Sequence, residues 1–166
     1  MKKGYFFSLD AFVAIIIIGL GIYMAFFTSS SAAPKTNIFV LTEDIVNYMT
    51  STKIYEINDD IYPYIKYLKN NDIITDNSNT LMEQIGEFYV TNKMIEAGNF
   101  AQNLTRNVVS RRYSYQILIN NTNIYNETLT NQSTALLLIS SKAIVMGMLN
   151  HSVSWGPLDG EVRVWY

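Results

Sequence analysis

A chain of 166 residues has room for one compact domain beside a terminal segment. Its net charge of -2 means that it lacks the basic excess that would indicate a nucleic-acid partner. Hydrophobic residues make up 49% of it and aromatic residues 13%, which excludes an acidic, disordered protein. The absence of cysteine excludes disulfides, thiol catalysis and cysteine-ligated metals.

Charged residues are scarce in this chain. They account for 16% of it, against roughly 25% in an ordinary soluble domain. Asn, Ser, Thr and Tyr supply the polar surface instead. Such a surface suits a protein that buries its exterior against copies of itself or carries glycans, but a codon bias towards Ile, Asn, Lys and Tyr gives a similar composition. The composition leaves both explanations open.

The N-terminal segment is the longest apolar run. No charged residue occurs from Ala11 to Phe27, and the run extends back towards Tyr5. A helix of this length would reach roughly 35 Å, enough to cross a bilayer. We therefore expect a long apolar helix within residues 1–35, with its two leading lysines cytoplasmic and the rest of the chain outside. A cleaved secretory signal, a single-pass anchor and the core helix of a filament are the competing interpretations.

The residues before this run favour the filament. A short basic leader ends at Gly4, the aromatic residues Tyr5, Phe6 and Phe7 follow, and Asp10 precedes the apolar stretch. This arrangement resembles the signal of type IV prepilins, including archaeal pilins with class III signal peptides. The resemblance implies cleavage between Gly4 and Tyr5. The acid would then be an Asp at the sixth mature position, where the family has a Glu at the fifth.

The resemblance also assigns assembly roles. Tyr5, Phe6 and Phe7 would open the assembling helix, and Asp10 would pair with the amino terminus or a lysine of a neighbouring subunit. The alternative for Asp10 is a carboxylate solvated at the level of the lipid headgroups, since a carboxylate at the membrane centre costs up to ~3 kcal/mol. The helix also contains two glycines that could allow it to unwind locally or could simply pack as small residues: Gly19 and Gly21.

Residues 36–166 are expected to form one extracellular domain, with helices in its first half. Apolar residues recur at helical spacing over 36–52 and 80–110, which predicts a helix in each. A short helix is also predicted over 59–69, because Asp59 and Asp60 suit its N-terminus and Pro63 suits its first turn. Thr80 and Glu83 match a capping box at the start of the helix over 80–110. The apolar face expected for this helix comprises Ile85, Phe88, Tyr89, Ile95, Phe100, Leu104 and Val108.

The helical part ends near residue 112, and residues 113–166 follow an alternating, β-rich pattern. Asn120-Asn121 is predicted to be a turn, Ala135–Ile139 a central strand, residues 154–160 a turn-rich loop, and Glu161–Tyr166 the final strand. The predicted fold class is α+β, in which the long apolar helix precedes a domain of helices packed on an antiparallel meander sheet.

Acceptors for N-linked glycans are concentrated in the C-terminal half. Asn-x-Ser/Thr motifs occur at Asn103, Asn120, Asn126, Asn131 and Asn150. We expect two or more of them to carry glycans, which would add polar cover to a surface that is short of charge. Unmodified loop asparagines are the alternative.

Residues for catalysis are missing from the sequence. His151 is the only histidine, and neither a phosphate-binding glycine loop nor a Gly-x-Ser-x-Gly motif occurs. Asp72 and Asp76 lie in a polar loop but lack the spacing of a calcium-binding EF-hand. We expect no enzyme activity, no metal site and no cofactor.

The sequence therefore predicts the structural subunit of an extracellular, type IV pilus-like filament that polymerises through its N-terminal helix and serves adhesion. Its expected partners are copies of itself, N-linked glycans and, before assembly, the cytoplasmic membrane. The resemblance further implies a prepilin peptidase and an assembly machinery. The alternative is a single-pass, membrane-anchored receptor or adhesin that does not polymerise.

Overall fold

The computed structural model describes residues 4–29, 35–106, 108–110, 112–149 and 152–166, with side chains outside the description at 4–10, 25–29 and 35–37. The chain divides into two compact units, Met1–Lys35 and Thr36–Tyr166.

The first unit contains helix α1, Gly4–Ser29. The prediction of a long apolar N-terminal helix able to span a membrane is wrong: among the described residues, no helix combines the length and the apolar character needed to cross a bilayer. Side chains of α1 are described over residues 11–24.

Four further α-helices follow in the described part of the chain: α2 (Lys35–Ser51), α3 (Pro63–Asn70), α4 (Leu81–Val90) and α5 (Met94–Thr105). Pro63 begins α3, where its missing N–H costs nothing. The capping box predicted for the start of α4 is confirmed: Thr80 Oγ1 accepts from the Glu83 N–H at 3.2 Å, and the Glu83 carboxylate accepts from the Thr80 N–H at 2.6 Å.

The single long helix predicted for residues 80–110 is wrong, because α4 and α5 are separated by a turn. Asn92 has a left-handed backbone with φ of 60°, a conformation that ends a helix and that Asn tolerates better than most residues. Ile95, expected on the buried face, is 77% exposed, and Val108 lies beyond the end of α5. The break changes which residues of the second half face the core.

Within the described ranges, four antiparallel strands form one sheet in the order β2-β1-β4-β3. Their bounds are β1 Ser114–Ile119, β2 Thr122–Glu127, β3 Leu138–Leu149 and β4 Val153–Trp165. Asn120 and Asn121, with φ of 47° and 61°, form the two-residue turn between β1 and β2. The described chain is thus α+β, but two hairpins joined through β1 and β4 replace the predicted meander.

The predicted roles of two segments in the sheet are wrong. The segment 135–139 does not form a central strand: β3 begins at Leu138 and lies at the edge of the sheet. Residues 154–160 do not form a loop, because β4 runs through them, with Gly156 taking a φ of 95°. The register of β3 and β4 shifts between Val145 and Gly147, so an irregularity in the pairing absorbs the residues that had signalled a turn.

The core of the second unit lies between the helices and one face of the sheet. α4 packs against β3 and β4, and α5 packs against β2 and α4. Phe88 of α4 and Phe100 of α5 meet edge to face, with ring centroids 5.8 Å apart.

Candidate assembly surface

The described part of α1 exposes large apolar side chains. Each of them is between 46% and 68% exposed: Phe12, Val13, Ile15, Ile16, Ile17, Ile18, Leu20, Ile22, Tyr23 and Met24. Because Ile15 to Ile18 are consecutive and each residue turns the helix by about 100°, the exposed side chains point in every direction around the axis. An apolar surface of this kind is typical of an interaction site.

The glycines of this helix have open surroundings. A Cβ added to Gly19 or Gly21 would meet no atom of the described chain within 4 Å. Packing against the described part of the chain therefore requires neither glycine, and both leave the helix backbone accessible to a neighbouring molecule.

The remaining residues expected to act in assembly lie in the first turns of α1, where the side chains are not described. Gly4 is the first residue of α1. The side chains of Tyr5, Phe6, Phe7 and Asp10 fall outside the described residues, so the cleavage and pairing expected there stay predictions.

A second apolar surface, which the sequence analysis missed, lies on the outer face of the edge strand β3. Leu138, Ile144, Met146 and Met148 point away from the helices and are 38–74% exposed. The period-two spacing of Ile144, Met146 and Met148 is the signal that could have identified it. The only charge on this strand is Lys142, which pairs with Asp159 at 2.8 Å.

The two edges of the sheet differ in chemistry. β2 is six residues long, and Asn123, Asn126 and Glu127 on it are exposed. β3 is 12 residues long and mostly apolar on its outer face. Short, polar edges protect a sheet from pairing with other chains, whereas long apolar edges favour such pairing. The β3 edge is therefore the less protected of the two.

Comparisons with protein-family models, with curated proteins and with solved structures find no match to this chain.

Four of the five glycan acceptors can be placed. Asn126 donates to Thr128 Oγ1 of its own motif at 3.1 Å, and Asn131 accepts from the Ser133 N–H, also at 3.1 Å. The Asn120 side chain accepts from the backbone N–H of Asp159 at 2.8 Å. Asn103 is half-buried on α5. Asn120, Asn126 and Asn131 are all exposed, and Asn150 lies outside the described residues.

Clusters of ligands for a metal ion do not occur within the described ranges, where no three acidic or histidine side chains converge. Asp76 accepts hydrogen bonds from the backbone and hydroxyl of Ser78, which closes a local turn. His151 is outside the described residues.

Proposed function

We propose that this chain is the structural subunit of a pilin-like homopolymer at the cell surface, held together by packing between the N-terminal helices of neighbouring copies. The observation that carries the proposal is the exposure of the large apolar side chains of residues 11–24 on all sides of α1. Burying a side chain of this size stabilises by about 1.5–3 kcal/mol. Several such contacts would offset the entropy lost on association.

A helix that is apolar on all sides suits a polymer better than a dimer. A dimer contact covers one side of each helix and leaves the others exposed, whereas a bundle of copies surrounds every helix with neighbours. Contacts between unlike surfaces that do not close on themselves generate helical filaments. Ile15, Ile16 and Ile17 are all exposed and point about 100° apart around the helix axis, which supports this arrangement.

The resemblance at the N-terminus supports the same proposal and adds a specific contact. The Lys-Lys-Gly leader, the aromatic residues that follow it and Asp10 together resemble a prepilin signal. By that resemblance, Asp10 would align each subunit by pairing with the amino terminus or a lysine of its neighbour, and a peptidase and an assembly machinery would act before it. The glycan acceptors, all beyond residue 100, would lie on the outside of the polymer.

The test compares two substitutions at equally exposed isoleucines. Ile18 in α1 and Ile61 in the second unit are both 61% exposed. Full-length protein is purified in detergent, the detergent is removed, and the product is examined by electron microscopy and sedimentation. Wild type and Ile61→Glu should form filaments of uniform diameter, whereas Ile18→Glu should remain small. Equal filament formation by both variants would contradict assembly through α1.

A separate substitution tests the pairing of the acid. Asp10→Ala should reduce filament yield without changing the fold of the second unit, monitored by the fluorescence of Trp155 and Trp165. Unaltered filaments would exclude an assembly role for Asp10 but would not contradict the homopolymer. A wild-type chain that stays monomeric after detergent removal would reject the homopolymer and favour a surface receptor or adhesin that does not polymerise.

A further inference from the structure

A polar cavity of about 290 Å³ lies in the second unit, where the C-terminal end of α5 meets β1 and β2. Its volume is at the lower end of the range of small-molecule sites. The polar and aromatic side chains that line it are Gln102, Arg106, Ser110, Tyr113, Tyr115 and Glu127.

Hydrogen bonds fix the inner wall of this cavity. Tyr115 is 2% exposed, and its hydroxyl lies 2.8 Å from Thr105 Oγ1. Thr105 donates to the Ala101 carbonyl at 2.7 Å, so the phenol is the donor to Thr105. Burial raises the pKa of Tyr115 well above its ordinary value, which keeps the phenol neutral. On the other wall, Tyr125 donates to Glu127 at 3.0 Å.

The two charged residues at the cavity have opposite hydrogen-bonding abilities. The guanidinium of Arg106 can only donate and the carboxylate of Glu127 can only accept. Both residues are exposed, and within the described chain they form no ion pair with each other. A ligand between them needs groups that accept and donate at the same time, and a pair of neighbouring hydroxyls does both.

Among the described residues that line the cavity, the balance of charge favours a neutral ligand. Arg106 and Glu127 cancel, and because both are exposed, their attraction for a charged ligand is weakened by water. Directed hydrogen bonds donated by Arg106, accepted by Glu127 and exchanged with Gln102 and Ser110 are then the main source of recognition. The half-buried ring of Tyr113 adds apolar surface against which the C–H groups of a sugar ring can pack.

We propose that this cavity binds a neutral saccharide. The inference deepens the proposed function, since it gives the surface polymer a carbohydrate to adhere to. Arg106 donates to and Glu127 accepts from neighbouring hydroxyls of one sugar ring, while the sugar ring rests against the half-buried Tyr113.

Binding is measured on the full-length chain in detergent, so that polymerisation does not affect the result. The probes are the methyl glycosides of glucose, galactose, mannose and N-acetylglucosamine at millimolar concentrations, with L-leucine as a zwitterionic competitor. Nuclear magnetic resonance follows the side-chain amide of Gln102 and the Nε–H of Arg106. At least one glycoside should shift these signals in a saturable manner, and L-leucine should not.

Two variants test the residues. Glu127→Gln preserves the glycan acceptor motif of Asn126 and keeps the shape of the side chain, and Arg106→Gln removes the charged donor. Each should weaken the glycoside at least about tenfold, since each loses a hydrogen bond to a charged group. Glu43→Gln, at an exposed site on α2, serves as the control and should bind like wild type.

The proposal is overturned if no glycoside shifts the cavity signals, if L-leucine binds in preference, or if both cavity variants bind as tightly as Glu43→Gln. Filament formation by the same variants is recorded separately. Filaments that bind no glycoside would contradict the saccharide site and leave the proposed homopolymer standing. A chain that binds a glycoside but never polymerises would contradict the homopolymer and leave the saccharide site standing.

Discussion

The guanidinium of Arg163 holds the buried carboxylate of Glu161, two residues before it on β4, through hydrogen bonds from both Nε and Nη2. Residues two apart share a face of a strand, so both side chains lie on the outer face of the sheet. On β3, Ser140 adds a third hydrogen bond at 2.6 Å and Lys142 lies 3.5 Å away. The hydrogen bonds from Arg163 lower the pKa of Glu161 to about 2.

This contact predicts a loss of stability in acid. In the unfolded chain the Glu161 carboxyl titrates near 4.5, and in the folded chain at about 2. The folded state therefore binds fewer protons between these values. The Glu161 carboxylate therefore contributes about 3 kcal/mol to the free energy of unfolding. This contribution is complete above pH 4.5 and decreases as the pH falls towards 2. Urea unfolding across this pH range, followed by tryptophan fluorescence, measures it.

The matching substitution isolates the carboxylate. Glu161→Gln should cost about 1–3 kcal/mol at neutral pH, because neutral hydrogen bonds replace charge-assisted ones, and should flatten the acid response. Glu43→Gln, at an exposed site, should leave both properties unchanged. An acid profile that is identical in Glu161→Gln and wild type would show that other carboxyl groups account for it.

A second prediction concerns the contact between α4 and the sheet. A Cβ at Gly86 would lie 2.5 Å from the ring of Trp155, too close for either to remain in place. Alanine favours a helix over glycine by up to ~1 kcal/mol, but overpacking of this kind costs about 1–3 kcal/mol. We expect Gly86→Ala to destabilise the protein by about 1 kcal/mol in urea unfolding.

The sign of this effect depends on the size of the ring. In a Trp155→Phe background the outer ring atoms are absent, so Gly86→Ala should become neutral or stabilising. Trp165 remains as the fluorescent probe. If Gly86→Ala costs the same in both backgrounds, the clash with Trp155 is not its cause.

Local chemistry predicted several features of this fold from the sequence. The capping box of Thr80 and Glu83 and the turn at Asn120-Asn121 depend on a few adjacent residues, and both are confirmed. The break at Asn92 was missed because apolar spacing continues across it, and only a backbone torsion distinguishes two short helices from one long helix. The membrane-spanning helix was inferred from an apolar run alone, and no described helix meets the requirement.

Features that depend on distant parts of the chain could not be predicted. The order of the strands places β3 at the edge, and nothing in residues 135–149 indicates which strand will be their neighbour. The turn signals of Gly156 and Pro157 suggested a loop, yet β4 incorporates them beside an irregular register. The polar cavity joins Gln102 to Glu127 across a helix and a hairpin, a contact that no sequence period reports.

The turn at Asn92 gives a third prediction. A left-handed backbone is tolerated by glycine and asparagine and costs other residues about 1–2 kcal/mol, most of all those that branch at Cβ. Asn92→Gly should therefore change the free energy of unfolding by only a few tenths of a kcal/mol, and Asn92→Val should lower it by about 1–2 kcal/mol. Equal effects of the two substitutions would show that the backbone conformation at this position is not what matters.

The unprotected edge of the sheet gives the last prediction, which requires a chain that does not assemble through α1. In the Ile18→Glu background, remaining association should come from the outer face of β3, where Ile144 is 74% exposed. A charge there opposes edge-to-edge pairing without disturbing the core. Adding Ile144→Lys should lower light scattering at high protein concentration and leave urea unfolding unchanged, whereas Ile61→Lys, at a site that is 61% exposed, should not lower it. If both lysines reduce scattering equally, added charge alone explains the effect, and the edge of β3 has no special role.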